Sequence, residues 1–307
     1  MTHILITGAS GLLGLNLALY AASHENVFGT VFSHELKNVP FQIIQADLQD
    51  SREIRDCVEE ADPEVIINCA AMANLEACEM EPETAELLNI ALPIALAEVA
   101  QKRKIKLVQI STDAVFDGQR GNYVEEDQPN PLSVYARTKW ESEKAVTIAN
   151  PDSLIVRVNF YGYSLLGKRS LAEFFLYNLA VGTRVFGFSD VNFCPLLVQD
   201  LAPILFGMIK KDLKGIYHVV SPESLSKYDF GVRIAHLFDL NENLVEAVDV
   251  SKGGLLARRS PNLSLRIDKL IRDLGQKPPG QDAGLLKFHQ LYEEDYPEKL
   301  KAFLSSD

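Results

Sequence analysis

The chain has 307 residues, enough for one large unit or for a large domain carrying a smaller lobe. Apolar residues make up 47% and charged residues 23%, the balance of a globular protein rather than a disordered or fibrous one. A net charge of −12 without a basic run excludes the footprint of a nucleic-acid binder, so an anionic ligand needs cations placed locally.

No apolar stretch reaches the roughly 18 residues that a membrane-spanning helix needs, and Met1 leads straight into a strand-like segment. No membrane partner and a cytoplasmic location are therefore expected. Cys57, Cys69, Cys78 and Cys194 fit neither a zinc spacing nor a small disulfide framework and are read as reduced. The histidines are scattered, so no metal is expected.

Residues 3–7 are a short apolar run ending at a glycine turn, and residues 12–22 are apolar enough to be a buried helix. Residues 27–32 and 41–45 read as the second and third strands, and Asp50 with Glu53 has capping-box spacing before the next helix. A fourth strand is expected at 64–69, a long helix at 82–102 with a kink at Pro93, and a fifth strand at 106–110. A polar segment covers 113–131, followed by a helix at 132–149 and a sixth strand at 154–158. Such alternation implies a parallel sheet covered on both faces, a doubly wound Rossmann-type α/β fold.

The pattern loosens after Gly162. A helix at 165–180 and short strand pieces at 182–197 suggest a lid or substrate lobe. Asp200 is expected to cap a helix, residues 215–220 to return a strand, and Ser226 with Asp229 to open another helix as a capping box. Helices close the chain around 268–274 and 284–292. Residues 1–160 with about 195–225 are thus expected to form the dinucleotide-binding domain. Residues about 161–194 with 226–307 would form a smaller, discontinuous substrate lobe.

Three motifs carry chemistry. Thr7-Gly8-Ala9-Ser10-Gly11-Leu12-Leu13-Gly14 is a GxxGxxG turn between strand and helix, where glycine lets backbone approach a pyrophosphate at a helix amino terminus. Tyr135 and Lys139 lie four apart near the start of a helix, so phenol and ammonium share a face and the cation should draw the phenol pKa down. Ser111-Thr112 ends a strand at the carboxyl edge of the sheet, where open α/β folds place ligands.

This glycine spacing, with Asp47-Leu48 after the third strand and Cys69-Ala70-Ala71 after the fourth, resembles the extended short-chain dehydrogenases. Residues 111–118, reading STDAVFDG, are similar to the STDYVFDG stretch of the dTDP-4-dehydrorhamnose reductase subfamily. Further matches run through residues 68–76, 129–132, 139–144, 198–202 and 258–265, most of the chain. The resemblance implies Thr112, Tyr135 and Lys139 as catalytic residues. It implies Gly8, Ser10, Gly11, Leu12, Leu13, Gly14, Ser33, Asp47, Leu48, Cys69, Ala70 and Ala71, with Tyr135 and Lys139, as cofactor contacts. Asp113, Phe160, Arg258 and Arg259 are the substrate candidates, the arginines for a substrate phosphate. Ala114 and Phe160 stand where that subfamily has tyrosine and, in enterobacterial members, tryptophan, so the sugar is left open.

The implied reaction is reduction of a keto group, at C4, on a nucleotide-linked deoxysugar. The second strand is followed by Ser33-His34-Glu35 rather than an acid at its end, so NADP(H) is expected in preference, with NAD(H) as the alternative. An epimerase or dehydratase would add a further acid or base beside Thr112, where Ala114 offers none. The subfamily also includes the regulatory β subunit of methionine adenosyltransferase, so a non-catalytic NADP-binding subunit remains a second reading, with a homodimer or a regulatory partner open.

Overall fold

The computed structural model describes residues 1–304. Its centre is a seven-stranded, wholly parallel sheet whose strands lie in the order Gly215–Val219, Leu154–Val158, Lys106–Thr112, Val65–Asn68, His3–Thr7, Asn26–Val31 and Gln42–Gln45. The chain enters through β1 (His3–Thr7), α1 (Leu12–Ala22), β2 (Asn26–Val31), β3 (Gln42–Gln45), α2 (Ser51–Ala61) and β4 (Val65–Asn68). It continues through α3 (Leu75–Met80), α4 (Pro82–Glu86), a π turn (Leu87–Ala91), α5 (Leu92–Arg103), β5 (Lys106–Thr112), α6 (Val134–Ala149) and β6 (Leu154–Val158).

Alternation along the strands sorts side chains to two faces. Leu5, Ile66, Leu107 and Ile155 pack with Ile54, Val58, Leu96 and Val146 of α2, α5 and α6. Ile4, Ile6, Val65, Ile67, Val108 and Val156 face the other way, onto Leu13 and Leu17 of α1. That second layer is completed by α8 (Val198–Lys210) and α10 (Asp268–Leu274). Helix α1 is buried almost throughout, which its apolar sequence permits, with Asn16 satisfied by the Leu12 and Tyr163 carbonyls; α2 buries only Ile54, Cys57, Val58 and Ala61, one stripe.

The remaining chain builds a second core. Strand β7 (Phe160–Tyr161) precedes α7 (Leu171–Ala180), β8 (Val185–Phe188), β9 (Asn192–Phe193) and β10 (Leu196–Leu197). After α8 and β11 (Gly215–Val219) come β12 (Leu225–Ser226), α9 (Lys227–Leu237) and β13 (Val245–Val248). Helices α11 (Gln281–Glu293) and α12 (Tyr296–Lys301) follow α10. Phe175, Phe193, Phe230 and Phe288 pack around Tyr161 and Tyr163 in this core.

Several local expectations are corrected. The helix expected over 82–102 is interrupted by the π turn, and α3 precedes it. Pro93 has no N–H to offer the Asn89 carbonyl, and widening the preceding turn accommodates it. The helix expected from 165 begins at Leu171, behind a capping box of Ser170 and Glu173. Glu53 accepts from the Asp47 amide rather than closing a reciprocal box with Asp50, which caps α2 alone. Asp200 lies inside the first turn of α8 and takes the Lys287 ammonium instead of capping. Ser226 caps α9 and donates to Asp229 Oδ2, without the reciprocal backbone bond.

No helix among the described residues is long and apolar enough to cross a membrane. No group of three His, Cys, Asp or Glu residues among them could hold a metal ion.

Candidate functional site

Strand order reverses between β1 and β4, and a groove opens at their carboxyl ends, the usual ligand position in an open α/β sheet. Gly8, Ser10, Gly11, Ser33, Asp47, Leu48, Cys69, Ala70 and Ala71 line it, as the sequence groups them. Leu12 lines a neighbouring cavity instead, and Leu13 and Gly14 line neither. Gly14 has a packing reason: a Cβ there would lie 2.3 Å from the Gly8 carbonyl oxygen. Gly8 itself turns at φ +67° with Ala70 backbone 3.0 Å from where a side chain would start.

The groove suits an elongated anion. The amides of Ser10, Leu12 and Leu13 find no acceptor among the described residues, and the first turn of α1 carries no acid. Phe32 adds an exposed aromatic wall beside Val31, Leu48 and Leu88. Ser33 Oγ lies 3.0 Å from His34 Nδ1, and both border the groove while Glu35 does not. Burial holds the Cys69 thiol up at about 12, so it is an inert wall.

The adjoining cavity, about 320 Å³, gathers Thr112, Asp113, Tyr135, Phe160, Arg258 and Arg259 from distant parts of the chain. Thr112 ends β5 and Tyr135 sits in the first turn of α6, whose cap Ser133 accepts from the Ala136 amide. The structure distinguishes the two neighbouring hydroxyls. Ser111 Oγ donates to Glu143, which is locked to Arg157 at 2.7 Å with both side chains 2% exposed, whereas Thr112 faces the cavity. Behind Arg157, burial and the guanidinium hold His218 neutral, with its pKa lowered to about 3.

Lys139 departs from its expected place. It is 3% exposed, lines neither cavity, and its Nζ donates to the Ile110 carbonyl at 2.6 Å. Burial lowers its pKa to about 8, with the Glu143 carboxylate opposing. The expectation that this cation draws down the phenol is therefore corrected. Burial raises the Tyr135 pKa well above its ordinary value, and the opposing influence is the Thr112 hydroxyl. An enclosed ammonium must satisfy its donors, and the strand carbonyl is at hand.

Asp113 is 2% exposed and accepts from Asn159 Nδ2 at 2.7 Å and from Thr112 Oγ1 at 3.1 Å. Burial pushes its carboxyl up to about 6 against those hydrogen bonds. The arginines separate. Arg259 pairs with Glu76 at 2.7 Å, and Glu76 also takes the Leu256 and Ala257 amides. Arg258 is exposed and makes no ion pair among the described residues.

Two cations escaped the sequence reading. Lys227, first residue of α9, lines the cavity, with its pKa lowered to about 8 by burial and Arg259. Arg169 lines both cavity and groove. The sequence marks Ser226 as a helix start without singling out Lys227 beside it, and a cap read at Ser170 would have placed Arg169 at a helix start as well.

Residues 1–293 match the family described as the RmlD substrate binding domain. The chain belongs to that family. Among curated RmlD-like relatives, the probable low-salt glycan biosynthesis reductase Agl14 of Haloferax volcanii is 30% identical, over 90% of this chain and 94% of its own. Mouse methionine adenosyltransferase 2 subunit beta is also 30% identical, over 90% of this chain and 84% of its own. Among solved structures, dTDP-4-dehydrorhamnose reductase of Bacillus anthracis in complex with NADP superposes with a TM-score of 0.81 at 26% identity, covering 94% and 98% of the two chains. The RmlD family membership and this superposition agree with the Rossmann-type parallel sheet described above.

Proposed function

We propose that this chain is a nicotinamide-dependent reductase acting on a keto group, at C4, of a nucleotide-linked deoxysugar. The observation that carries this reading is the pairing of Thr112 and Tyr135 on one cavity wall beside a groove whose helix amides are free for phosphate. A reduced nicotinamide bound in that groove supplies hydride. The Tyr135 phenol, protonated at neutral pH as an ordinary phenol is, lines the cavity in position to donate to the developing alkoxide. Thr112 holds the carbonyl oxygen by turning its one hydroxyl proton from Asp113 to the substrate, and Asn159 fixes Asp113 beside it. Lys139 stiffens the strand end through Ile110, and we assign it to the nicotinamide ribose, which it reaches by turning its ammonium from that carbonyl toward the groove.

In this reading residues 1–160 with about 195–225 hold the dinucleotide and the remainder holds the sugar nucleotide. Ala114 supplies no second acid or base, which favours simple reduction over epimerisation or dehydration. Arg258, exposed and in no ion pair among the described residues, is a cation for a substrate phosphate; Arg259 and Glu76 fasten the turn that presents it. Ser33 and His34 at the groove favour NADPH over NADH. A panel of keto-sugar nucleotides assayed for NADPH oxidation tests the reading, and its failure across the panel would overturn it. The same assay should show a higher kcat/KM for NADPH than for NADH at matched ionic strength.

A second reading is favoured by the likeness to methionine adenosyltransferase 2 subunit beta. A chain that binds the dinucleotide, turns over no sugar and associates with a methionine adenosyltransferase would support it.

A further inference from the structure

We infer that Arg169 is a shared counter-ion which lets two anionic ligands, a dinucleotide in the groove and a nucleoside-diphosphate sugar in the cavity, bind side by side. The inference rests on the reading above and adds a coupling between its two sites. Arg169 is the one described residue that lines both spaces. Its side chain is exposed and makes no ion pair or hydrogen bond among the described residues.

Its main chain, by contrast, is held firmly. The Arg169 amide donates to Glu173 Oε2 at 2.9 Å, and the same fully buried carboxylate accepts from the Ser170 amide and from both the amide and hydroxyl of Ser164. Ser170 Oγ anchors the loop to the Gly162 carbonyl at 2.7 Å. A fixed base thus carries an unpaired cation between two ligand spaces. A pyrophosphate on one side and a diphosphate on the other repel each other, and a −12 protein adds to that cost. A guanidinium between them offsets it, because its planar fork can donate to both at once.

Coupling is read by calorimetry as the ratio of two dissociation constants for thymidine diphosphate, one in free protein and one saturated with NADP⁺. In wild type the two should agree within about threefold, whereas Arg169→Ala should weaken binding to the saturated form by about tenfold relative to the free form. Arg169→Lys, which keeps charge without the fork, should fall between. Reciprocity requires the same factor when NADP⁺ is titrated into nucleotide-saturated protein. All three proteins should share one Tm, since the side chain is exposed and makes no ion pair or hydrogen bond among the described residues. A ratio in Arg169→Ala equal to that of wild type would overturn the inference, even if single affinities changed. Wild-type protein that binds neither probe would overturn the underlying reading and the coupling with it.

Discussion

Tyr135 shows how burial can replace a neighbouring charge in setting a group's chemistry. Its phenol is the proton donor that the cavity offers, so Tyr135→Phe should lower kcat by about 10²- to 10⁴-fold while leaving dinucleotide affinity within error, measured by single turnover and fluorescence titration. Retention of near-wild-type kcat would remove it from the proton step. Asp113 offers a stability test with a definite sign. Its folded pKa, about 6, lies above the ordinary 3.8, so the folded protein binds this proton more tightly than the unfolded chain. The resulting stabilisation is complete below 3.8 and is lost as pH rises through 6. Wild type should therefore lose about 3 kcal/mol relative to Asp113→Asn between acid and neutral pH in urea titrations; parallel curves would refute the assignment. The types and spacing of Thr112, Tyr135 and Lys139 were readable in the chain, but the burial that sets their charge states belongs to tertiary packing. Nothing in YxxxK says that the lysine will turn to Ile110.

At the scale of elements, the glycine turn separates packing from ligand approach. A Cβ on Gly14 would meet backbone at 2.3 Å, while one on Gly11 lies 3.2 Å from the Gly8 oxygen. Gly14→Ala should therefore lower stability by about 1–3 kcal/mol through strain between helix and strand. Gly11→Val should keep most of the Tm and weaken dinucleotide binding, because Gly11 borders the groove. Equal loss of Tm in both variants would show that the turn acts as one structural unit. Alternation of apolar runs disclosed β1 to β6 because parallel strands are buried on both faces. Helix starts were less legible. Leu165 and Leu166 carry the apolar pattern upstream of the helix, and only the reciprocal bonds of Ser170 and Glu173 mark where it begins. The π turn was hidden too, since Pro93 signals a disturbance without saying that the helix will widen rather than bend.

Across the whole molecule, alternation of strands and helices specified the layered sheet, while the second core needed contacts between segments far apart in sequence. Tyr163 against Phe288 is one such contact, its rings stacked 4.1 Å apart across the length of the molecule's second half. No local periodicity announces it. The sheet itself also depends on a distant segment: β11 pairs with β6 in register from Gly215 opposite Leu154 to Val219 opposite Val158. A fragment of residues 1–160 should consequently aggregate, and one extended through 225 should be more soluble, as sedimentation of the two expressed fragments would show; equal solubility would mean that β6 needs no cover. During synthesis the same geometry imposes a waiting period. A nearly complete sheet leaves the ribosome with β6 as an uncovered edge, and β11 pairs with it only after some sixty further residues have emerged, a delay of several seconds at about 5–20 residues per second. A chaperone that shields strand margins has its opportunity in that interval.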